Sequence, residues 1–524
     1  MKILYVISEL FFSEPMGVMQ LSSISRKNGH ETRLVSLKDH SLAEMLEKAS
    51  PDLVCYSVMS SDEYLFIEAD KEIVSWINKN KKFVPRIMGG PHPTYFPEIL
   101  SKMDLDAICI GDGDNAMATI LERMESGSNF SGIPNVLARG DDVKDVEKEL
   151  VHDMSALPFL DRELLYRDSP DLLQQGIRSF QTQRGCPFQC SYCFNHAFNQ
   201  MFKQEMKGPG RGLMRRRSVD HLFEEIRYVI ENFPVAKVLR FSDDVFLIRK
   251  DEWLEEFCAR YPKEIGIPFY CLVRPDSLTE EVAKMLSDAG CTSLGMSIES
   301  GDELIRRKLI KRPVSDEVMK QAFHFTHKYK LPAIASSIMG IPGTTLEDDF
   351  NSFLYSKKLK PAAPTFAIFT PFSETELTRI AVEKGLLDND NSLTATYRSK
   401  SQLNCYTEKE KEMQQRLCYL APLFCYLPDF MIPILKMLMR FNLSTKSGAY
   451  FTRMCGFVEA TFNTYVIGRK IFPQSIPTNP IYFIKIGWRS VKYFFMSVRS
   501  QNKDQKPLAD SIPKAVSEAL STGN

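Results

Sequence analysis

The sequence has no excess of charge of either sign: its 524 residues include 66 lysines and arginines and 66 aspartates and glutamates. It lacks the basic field that attracts nucleic acid, so we expect no nucleic-acid partner. It also lacks a signal-peptide core, because the apolar start of the chain ends at Ser8 and Glu9. These absences predict a cytoplasmic protein.

Paired Cys-x-x-Cys knuckles at zinc-ribbon separation are absent among the twelve cysteines. Instead, Cys186, Cys190 and Cys193 form one Cys-x-x-x-Cys-x-x-Cys motif after an apparent β-strand. Three thiolates at this spacing predict three ligands of a 4Fe-4S cluster whose fourth iron stays open for an exogenous ligand. Two alternatives stay open, a zinc site that includes His196 and chance clustering.

Residues 1–140 alternate short apolar runs with longer amphipathic stretches such as 64–78. This alternation predicts a parallel sheet with helices on both faces, whose ligand binds beyond the carboxyl ends of the strands. We place strands at 3–7, 34–37, 53–57, 87–88 and 107–110. Small and polar residues follow three of these strands, in loops 57–61, 89–94 and 111–114. A wide, flat ligand fits such an edge, although glycine and proline also occur in ordinary turns.

A second alternation of strands and helices begins near residue 177, after a connector at 141–176. Its six predicted strands point to a partial βα-barrel with an active site at the carboxyl ends of the strands. These strands are 178–182, 238–241, 269–273, 293–298, 333–339 and 365–369. The cysteine motif follows the first of them.

Polar residues follow the other barrel strands. Asp243 and Asp244 can accept hydrogen bonds from an ammonium group, and Glu299 from two ribose hydroxyls. Residues 340–343 offer a gap for a purine, and Thr344-x-x-Glu347 reads as a helix capping box. Arg274 suits either a ligand carboxylate or a structural ion pair.

With these motifs, the chain resembles the radical S-adenosylmethionine (SAM) enzymes that carry an N-terminal cobalamin-binding domain, the class B radical SAM methyltransferase type. The resemblance covers residues 1 to about 390. It implies an α/β protein with a Rossmann-like, doubly wound cobalamin-binding domain (1–140), a linker (141–176), a partial (β/α)6 radical SAM barrel (177–395), a mostly helical C-terminal region (396–500) and a disordered tail (501–524).

The resemblance also implies roles for single residues. Cys186, Cys190 and Cys193 bind the 4Fe-4S cluster, whose open iron is chelated by SAM. The SAM contacts are Tyr192, Ser242, Asp243, Asp244, Ser297, Glu299, Gly340 and Pro342. The cobalamin contacts are Ser57, Gly89, Gly90, His92, Thr94 and Gly111. The Asp-x-His-x-x-Gly motif of other cobalamin proteins is absent, so we expect His92 to be a loop residue and not a cobalt ligand.

The implied reaction is reductive cleavage of SAM to a 5′-deoxyadenosyl radical and cobalamin-dependent methylation of an unactivated carbon. The alternative is a cobalamin-dependent cyclisation, ring contraction or oxidation without methyl transfer, and a cobalamin-binding sensor is the non-enzymatic hypothesis. Methylthiolation is disfavoured because that class needs three further N-terminal cysteines, and only Cys55 and Cys109 lie there. We expect a small-molecule or lipid substrate and an electron donor such as flavodoxin or ferredoxin.

The C-terminal region changes character. Residues 416–440 are rich in Leu, Phe, Met and Tyr, but Pro422, Pro428 and Pro433 interrupt them, which favours a helical cap over a membrane-spanning helix. Residues 481–499 are aromatic and basic. They predict either a membrane-surface helix, and hence a peripheral membrane contact, or a helix packed on the barrel; we favour packing.

Overall fold

The structure is a computed structural model that describes residues 1–10, 14–207, 212–233, 236–372, 374–388, 399–442 and 445–473. The predicted amphipathic stretch 481–499 and the predicted tail 501–524 lie outside the described residues.

The first sheet has six strands in the order β2-β1-β3-β4-β5-β6. The five strands β1 to β5 are parallel, as the alternating sequence pattern predicts, whereas β6 pairs antiparallel with β5 and was not predicted. Its strands are β1 (Lys2–Ile7), β2 (Glu31–Ser36), β3 (Leu53–Ser57), β4 (Arg86–Gly89), β5 (Ala107–Cys109) and β6 (Val136–Ala138).

Helices cover both faces of this sheet. In β1, Ile3 and Tyr5 belong to the core under α1 and α6, while Leu4 and Val6 belong to the core under α2 and α3. Burial on both faces explains why the strands read as continuous apolar runs. The helices are α1 (Met16–Lys27), α2 (Leu42–Ala49), α3 (Glu63–Asn80), α4 (Pro91–Tyr95), α5 (Ile99–Lys102) and α6 (Asp114–Glu125), with α7 (Arg162–Asp168) in the connector.

The second sheet is open and parallel, in the order β14-β13-β12-β11-β10-β7. Along β13, alternate residues from Ala333 to Met339 are buried, while Ile334, Ser336 and Ile338 are half-buried on the other face. The strands are β7 (Ile177–Phe180), β10 (Val238–Phe241), β11 (Phe269–Leu272), β12 (Cys291–Gly295), β13 (Ala333–Met339) and β14 (Ala363–Ile368). A separate antiparallel ribbon of two-residue strands, too short to predict, is formed by β8 (Gln183–Arg184) and β9 (Arg215–Arg216).

Helices follow the strands of the second sheet. They are α8 (Phe194–Met201), α9 (Val219–Asn232), α10 (Glu252–Glu264), α11 (Glu280–Asp288), α12 (Asp316–Lys328), α13 (Leu346–Leu359) and α14 (Glu376–Glu383). The capping box predicted at Thr344 is wrong by one residue. The Thr345 hydroxyl caps α13 together with Asp348, because the Thr344 hydroxyl donates instead to the carbonyl oxygen of Ile341.

Three further helices pack beside β14, as the prediction of a helical C-terminal region requires. They are α15 (Glu408–Phe424), α16 (Ile432–Met439) and α17 (Lys446–Val466). Pro433 lies in the first turn of α16, where a missing N–H costs nothing, while Pro422 lies within α15. Among the described residues, no helix is long and apolar enough to cross a membrane. The residue bounds of the domains stay predictions.

Candidate active site between the two sheets

The three cysteines of the motif lie together after β7 and β8. Cys190 is buried, Cys186 and Cys193 are half-buried, and all three thiols are free. Burial, together with the neighbouring Cys190 and Cys186, raises the pKa of Cys193 to about 12. An electrostatic effect of this kind means that the three thiols lie near one another. Three adjacent free thiols are the donor set that an iron-sulfur cluster takes, and an iron bound to them would deprotonate them.

The three cysteines are not arranged as ligands of one metal ion. Within the described ranges, no three His, Cys, Asp or Glu side chains form a group that could hold a single metal ion. The cysteines of a cluster each take a separate iron. His196, considered above for a zinc site, lies with Nε2 3.8 Å from a carboxylate oxygen of Glu376 on α14.

Backbone contacts fix the cysteine loop. Ser191 donates from its backbone N–H to the carbonyl oxygen of Ile310 at 3.1 Å and from its hydroxyl to that of Leu309 at 2.8 Å. The Asn199 amide on α8 donates to the carbonyl oxygen of Cys186 at 2.8 Å. The loop is therefore held at Cys186 and next to Cys190.

Arg274, at the end of β11, contacts this loop directly. Its Nη1 lies 3.6 Å from Cys190 Sγ, and its guanidinium carbon lies 3.5 Å from the centre of the Phe188 ring. Nε and Nη2 donate to the two carboxylate oxygens of Asp276 at 2.9 and 2.8 Å. Of the two roles considered for Arg274, the structure shows the ion pair, and it adds an N–H contact to a cysteine sulfur.

The loop after β10 carries Ser242, Asp243 and Asp244. The buried Asp243 carboxylate accepts hydrogen bonds from the backbone N–H groups of Thr182 and Gln183 at 2.7 and 3.1 Å, and from the Thr182 hydroxyl at 2.8 Å. Burial raises the pKa of Asp243 to about 7 despite these donors. Asp243 therefore fastens the strand that leads to the cysteines.

The two neighbours of Asp243, Ser242 and Asp244, remain available to a ligand. Asp244 is exposed and lies close enough to Cys186 and Cys193 to raise the pKa of both thiols. The Ser242 hydroxyl is buried and has no hydrogen-bond partner among the described residues. A hydroxyl without a partner beside a free carboxylate fits the polar end of a bound amino acid.

Tyr192 and Glu299 meet across the site. The Tyr192 hydroxyl donates to Glu299 Oε1 at 2.7 Å, and Arg312 Nη1 lies 3.5 Å from the same oxygen. Arg312 also donates to the carbonyl oxygen of Ser297 at 3.1 Å. Glu299 has φ +67°, a left-handed conformation that costs a non-glycine residue free energy and is concentrated at functional sites. Sequence reasoning missed Arg312, which belongs to no motif.

Gly340 and Pro342 lie buried under α15. Gly340 has φ +68°, and a Cβ there would lie 3.0 Å from the amide of Gln414 on α15. Its N–H donates to Asp349 Oδ1 at 2.8 Å, and Gln414 Nε2 donates to Asp349 Oδ2 at 2.6 Å. The C-terminal helices thus cover the segment predicted to hold adenine, a contact that no sequence motif indicates.

The predicted cobalamin residues share one edge of the first sheet. The Thr94 hydroxyl donates to the carbonyl oxygen of Gly90 at 2.9 Å and accepts from the N–H of Gly111 at 3.1 Å. Ser57 pairs with Gly89 in the β3–β4 register. Burial lowers the pKa of His92, whose Nδ1 lies 3.2 Å from the Ser60 hydroxyl. His92 Nδ1 is thus engaged within the loops, and the role of His92 beside cobalamin stays a prediction.

This edge faces the cysteine loop. The Tyr95 hydroxyl donates to the carbonyl oxygen of Phe194 at 3.0 Å, and the two rings stack with their centres 4.4 Å apart. Burial raises the pKa of Tyr95, and the nearby Cys193 and Asp244 raise it further. A Cβ at Gly111 would lie 2.3 Å from the Phe202 ring, so only glycine lets the segment after α8 pack there.

Ion pairs also join the edge of the first sheet to the segments around the cysteine loop. Arg184, two residues before Cys186, donates to both carboxylate oxygens of Asp114 at 2.5 and 3.1 Å. Arg215 on the neighbouring ribbon strand pairs with Asp112. The acidic residues of loop 111–114 therefore pair with arginines of the β8–β9 ribbon beside the cysteine motif. Which residues contact the cofactors stays a prediction.

Comparisons with known proteins agree with this architecture. Residues 4–121 match the B12 binding domain, and residues 180–353 match the Radical SAM superfamily. An uncharacterised methyltransferase of Pyrococcus horikoshii is 26% identical over 385 residues, which cover 71% of this chain and 79% of the relative.

Two solved structures share the fold. The radical SAM methyltransferase TsrM of Kitasatospora setae, with cobalamin and a [4Fe-4S] cluster bound, aligns with a TM-score of 0.60 at 12% identity over 88% of this chain and 99% of that one. The cobalamin-dependent SAM radical enzyme OxsB, with aqua-cobalamin and SAM bound, aligns with a TM-score of 0.64 at 14% identity over 96% and 81%. Since one family model matches the region of the first sheet and the other matches the region of the second, the chain is a radical SAM enzyme with an N-terminal cobalamin-binding domain.

Proposed function

We propose that this enzyme transfers a methyl group, with the help of cobalamin, to an unactivated carbon of a small-molecule or lipid substrate. The observation that carries the proposal is the contact between Tyr95 and Phe194, which brings the predicted cobalamin edge against the cysteine loop. When bound, the cluster supplies the electron that cleaves SAM, and cobalamin carries the methyl group. The methyltransferase names of the Pyrococcus horikoshii relative and of TsrM support this choice.

The chain's own residues bind and orient the reactants. Cys186, Cys190 and Cys193 hold the cluster. Asp244 and the Ser242 hydroxyl take the amino acid end of SAM, since both are free to accept a hydrogen bond from an ammonium group.

The other end of SAM meets the Tyr192–Glu299 pair and the Gly340 segment. Glu299 keeps one carboxylate oxygen for ribose while Oε1 is used by Tyr192 and Arg312. We assign adenine to the backbone segment at Gly340 and Pro342, where Gln414 of α15 packs against Gly340. On the cobalamin side, His92 Nδ1 contacts the Ser60 hydroxyl, and we expect cobalt without a histidine ligand from this chain.

We further assign the enzyme to the cytoplasm, with an electron donor such as flavodoxin or ferredoxin as one partner. A peripheral membrane contact through the C-terminal region is the second partner that we propose. Helices α16 and α17 provide the surface for this membrane contact.

The test is anaerobic incubation of reconstituted, reduced enzyme with methyl-labelled SAM and candidate substrates. We expect label in the product, together with 5′-deoxyadenosine and S-adenosylhomocysteine. Label absent from a transformed product would instead support cyclisation, ring contraction or oxidation. Absence of SAM cleavage would favour the sensor hypothesis.

Two variants control this assay. Replacing Cys186, Cys190 and Cys193 together by alanine should remove the cluster iron and all SAM cleavage. Cys258→Ser alters a half-buried thiol on α10 outside the motif and should leave both unchanged. Substantial cluster iron in the triple variant would contradict the ligand assignment.

A further inference from the structure

Helices α16 and α17 expose large apolar side chains in two stripes. Along α16 and its flanks, Phe430, Ile434, Met437 and Phe441 recur at intervals of three or four residues, and Phe430 is 76% exposed. Side chains at this spacing lie on one side of a helix. The second stripe, on α17, consists of Tyr450, Met454, Phe457, Val458 and Tyr465. We call the two stripes together the C-terminal apolar face.

The opposite sides of these helices already form a core. Leu435 and Met439 of α16 and Cys455 of α17 are buried in one cluster with side chains of α15. The exposed stripes are therefore additional to the packing that holds the helices in place. Clusters of exposed large apolar side chains are uncommon on soluble proteins and mark surfaces that bind a partner.

The charges around the face are almost all positive. Between residues 429 and 473 the chain has two acidic residues, Asp429 and Glu459. Glu459 is buried, and Asp429 lies 3.3 Å from Lys357 Nζ. The basic residues of the same stretch are all exposed: Lys436, Arg440, Lys446, Arg453, Arg469 and Lys470.

We propose that the C-terminal apolar face binds the surface of an anionic lipid bilayer, with α16 and α17 lying in the plane of the interface. Apolar stripes enter the boundary between headgroups and acyl chains, and flanking basic residues meet the anionic headgroups. The inference rests on one part of the proposed function, the peripheral membrane contact, and specifies the surface and the lipid of that contact. It does not depend on methyl transfer.

The face is one helix layer away from the active site. Helix α15 packs against both α16 and α17, and its Gln414 side chain reaches Asp349, which binds the N–H of Gly340. A bilayer on this face would lie on the outer side of the layer that covers the predicted adenine segment.

Co-sedimentation of the full-length protein with vesicles tests the proposal. We expect the protein to pellet with vesicles of phosphatidylcholine containing phosphatidylglycerol at least tenfold more strongly than with pure phosphatidylcholine. Added salt should weaken the binding, because it screens the headgroup attraction. A fourfold variant that makes the face polar should bind vesicles at least tenfold more weakly; its changes are Met437→Gln, Tyr450→Ser, Met454→Gln and Phe457→Gln. A second variant, Lys436→Glu with Arg453→Glu, should lose the preference for the anionic lipid.

Phe83→Ser is the matched control, since Phe83 is 83% exposed on the first half of the chain and should not affect binding. Equal binding of the fourfold variant, or no pelleting above pure phosphatidylcholine, would overturn the proposal. If the wild type is a dimer and the fourfold variant is a monomer, a second copy of the chain is the occupant of the face, and the proposal is overturned. If the fourfold variant loses thermal stability and the wild type does not bind vesicles, residues 474–524 of the same chain are the occupant, and the proposal is again overturned. SAM cleavage measured without vesicles separates each failure from a failure of the proposed function.

Discussion

The Tyr95 hydroxyl donates a hydrogen bond of 3.0 Å to the carbonyl oxygen of Phe194. Tyr95 ends the short helix that follows β4, and Phe194 begins the helix that follows Cys193. The bond therefore joins the predicted cobalamin edge of the first sheet to the cysteine loop of the second. Phe194 also packs on Phe372, after β14, with ring centres 4.5 Å apart.

Removing this hydroxyl should uncouple SAM cleavage from methyl transfer. In Tyr95→Phe the stacked ring stays, while a hydrogen bond worth about 1 kcal/mol is lost. We expect SAM cleavage within about twofold of wild type and a several-fold higher ratio of 5′-deoxyadenosine to methylated product. Quantifying both products by chromatography measures the ratio. Tyr228→Phe, at an exposed tyrosine of α9, should keep the wild-type ratio, and an unchanged ratio in Tyr95→Phe would refute the coupling role.

Arg274 should raise the reduction potential of the cluster. A hydrogen bond from a cationic N–H to Cys190 Sγ stabilises the more negative, reduced form. Arg274→Gln should lower the potential by about 60 mV, the one-electron equivalent of ~1.4 kcal/mol. Redox titration followed by electron paramagnetic resonance measures it.

The control for this titration is Arg260→Gln, at a helix residue whose guanidinium pairs with Glu256 and Glu264. It should leave the potential unchanged. An Arg274→Gln enzyme with wild-type potential and weakened SAM binding would show that Arg274 serves the SAM carboxylate instead.

The sequence predicted the parts of the site that depend on backbone position. The residues after β10, β12 and β13 were found because polar side chains at strand ends interrupt apolar runs, and parallel strands bring their ends to one edge. The same rule located the loops after β3, β4 and β5.

The sequence did not predict contacts that depend on side chains distant along the chain. Arg312, Gln414 and Arg184 carry no local signal, because their roles arise when separate elements meet. The paired role of Asp243 was hidden for the same reason: its donors lie 60 and 61 residues away in sequence. The two-residue strands β8 and β9 lack the length that an alternating pattern needs.

Burial of Asp349 should make stability depend on pH. Burial raises its pKa to about 7 in the folded protein, so the folded state keeps a proton that the unfolded chain releases near its ordinary value of 3.8. This contribution to stability is complete below pH 3.8 and is lost as the pH rises through 7. Wild type should therefore lose ~2–3 kcal/mol relative to Asp349→Asn between pH 5 and pH 8.

Denaturant unfolding of both proteins at the two pH values measures this difference. The asparagine can still accept from the N–H of Gly340, so the variant should fold. Asp288→Asn, at an exposed residue of α11, should track wild type at both pH values. Parallel pH profiles for wild type and Asp349→Asn would mean that Asp349 is ionised in the folded protein.

Loss of the Glu299 charge should weaken SAM binding without removing the cluster. Glu299→Gln keeps an acceptor for the Tyr192 hydroxyl but loses the attraction to Arg312 and the carboxylate that we assign to ribose. A charged hydrogen bond contributes about 1.5–3 kcal/mol, so we expect the Kd of SAM to rise about tenfold or more. Equilibrium dialysis of the reconstituted protein measures Kd, and iron content should stay at the wild-type level. Glu280→Gln, at an exposed residue of α11, is the matched change and should leave Kd unaltered. A Glu299→Gln protein with normal Kd but reduced thermal stability would place this carboxylate in the scaffold around Arg312 and leave the ribose to other groups.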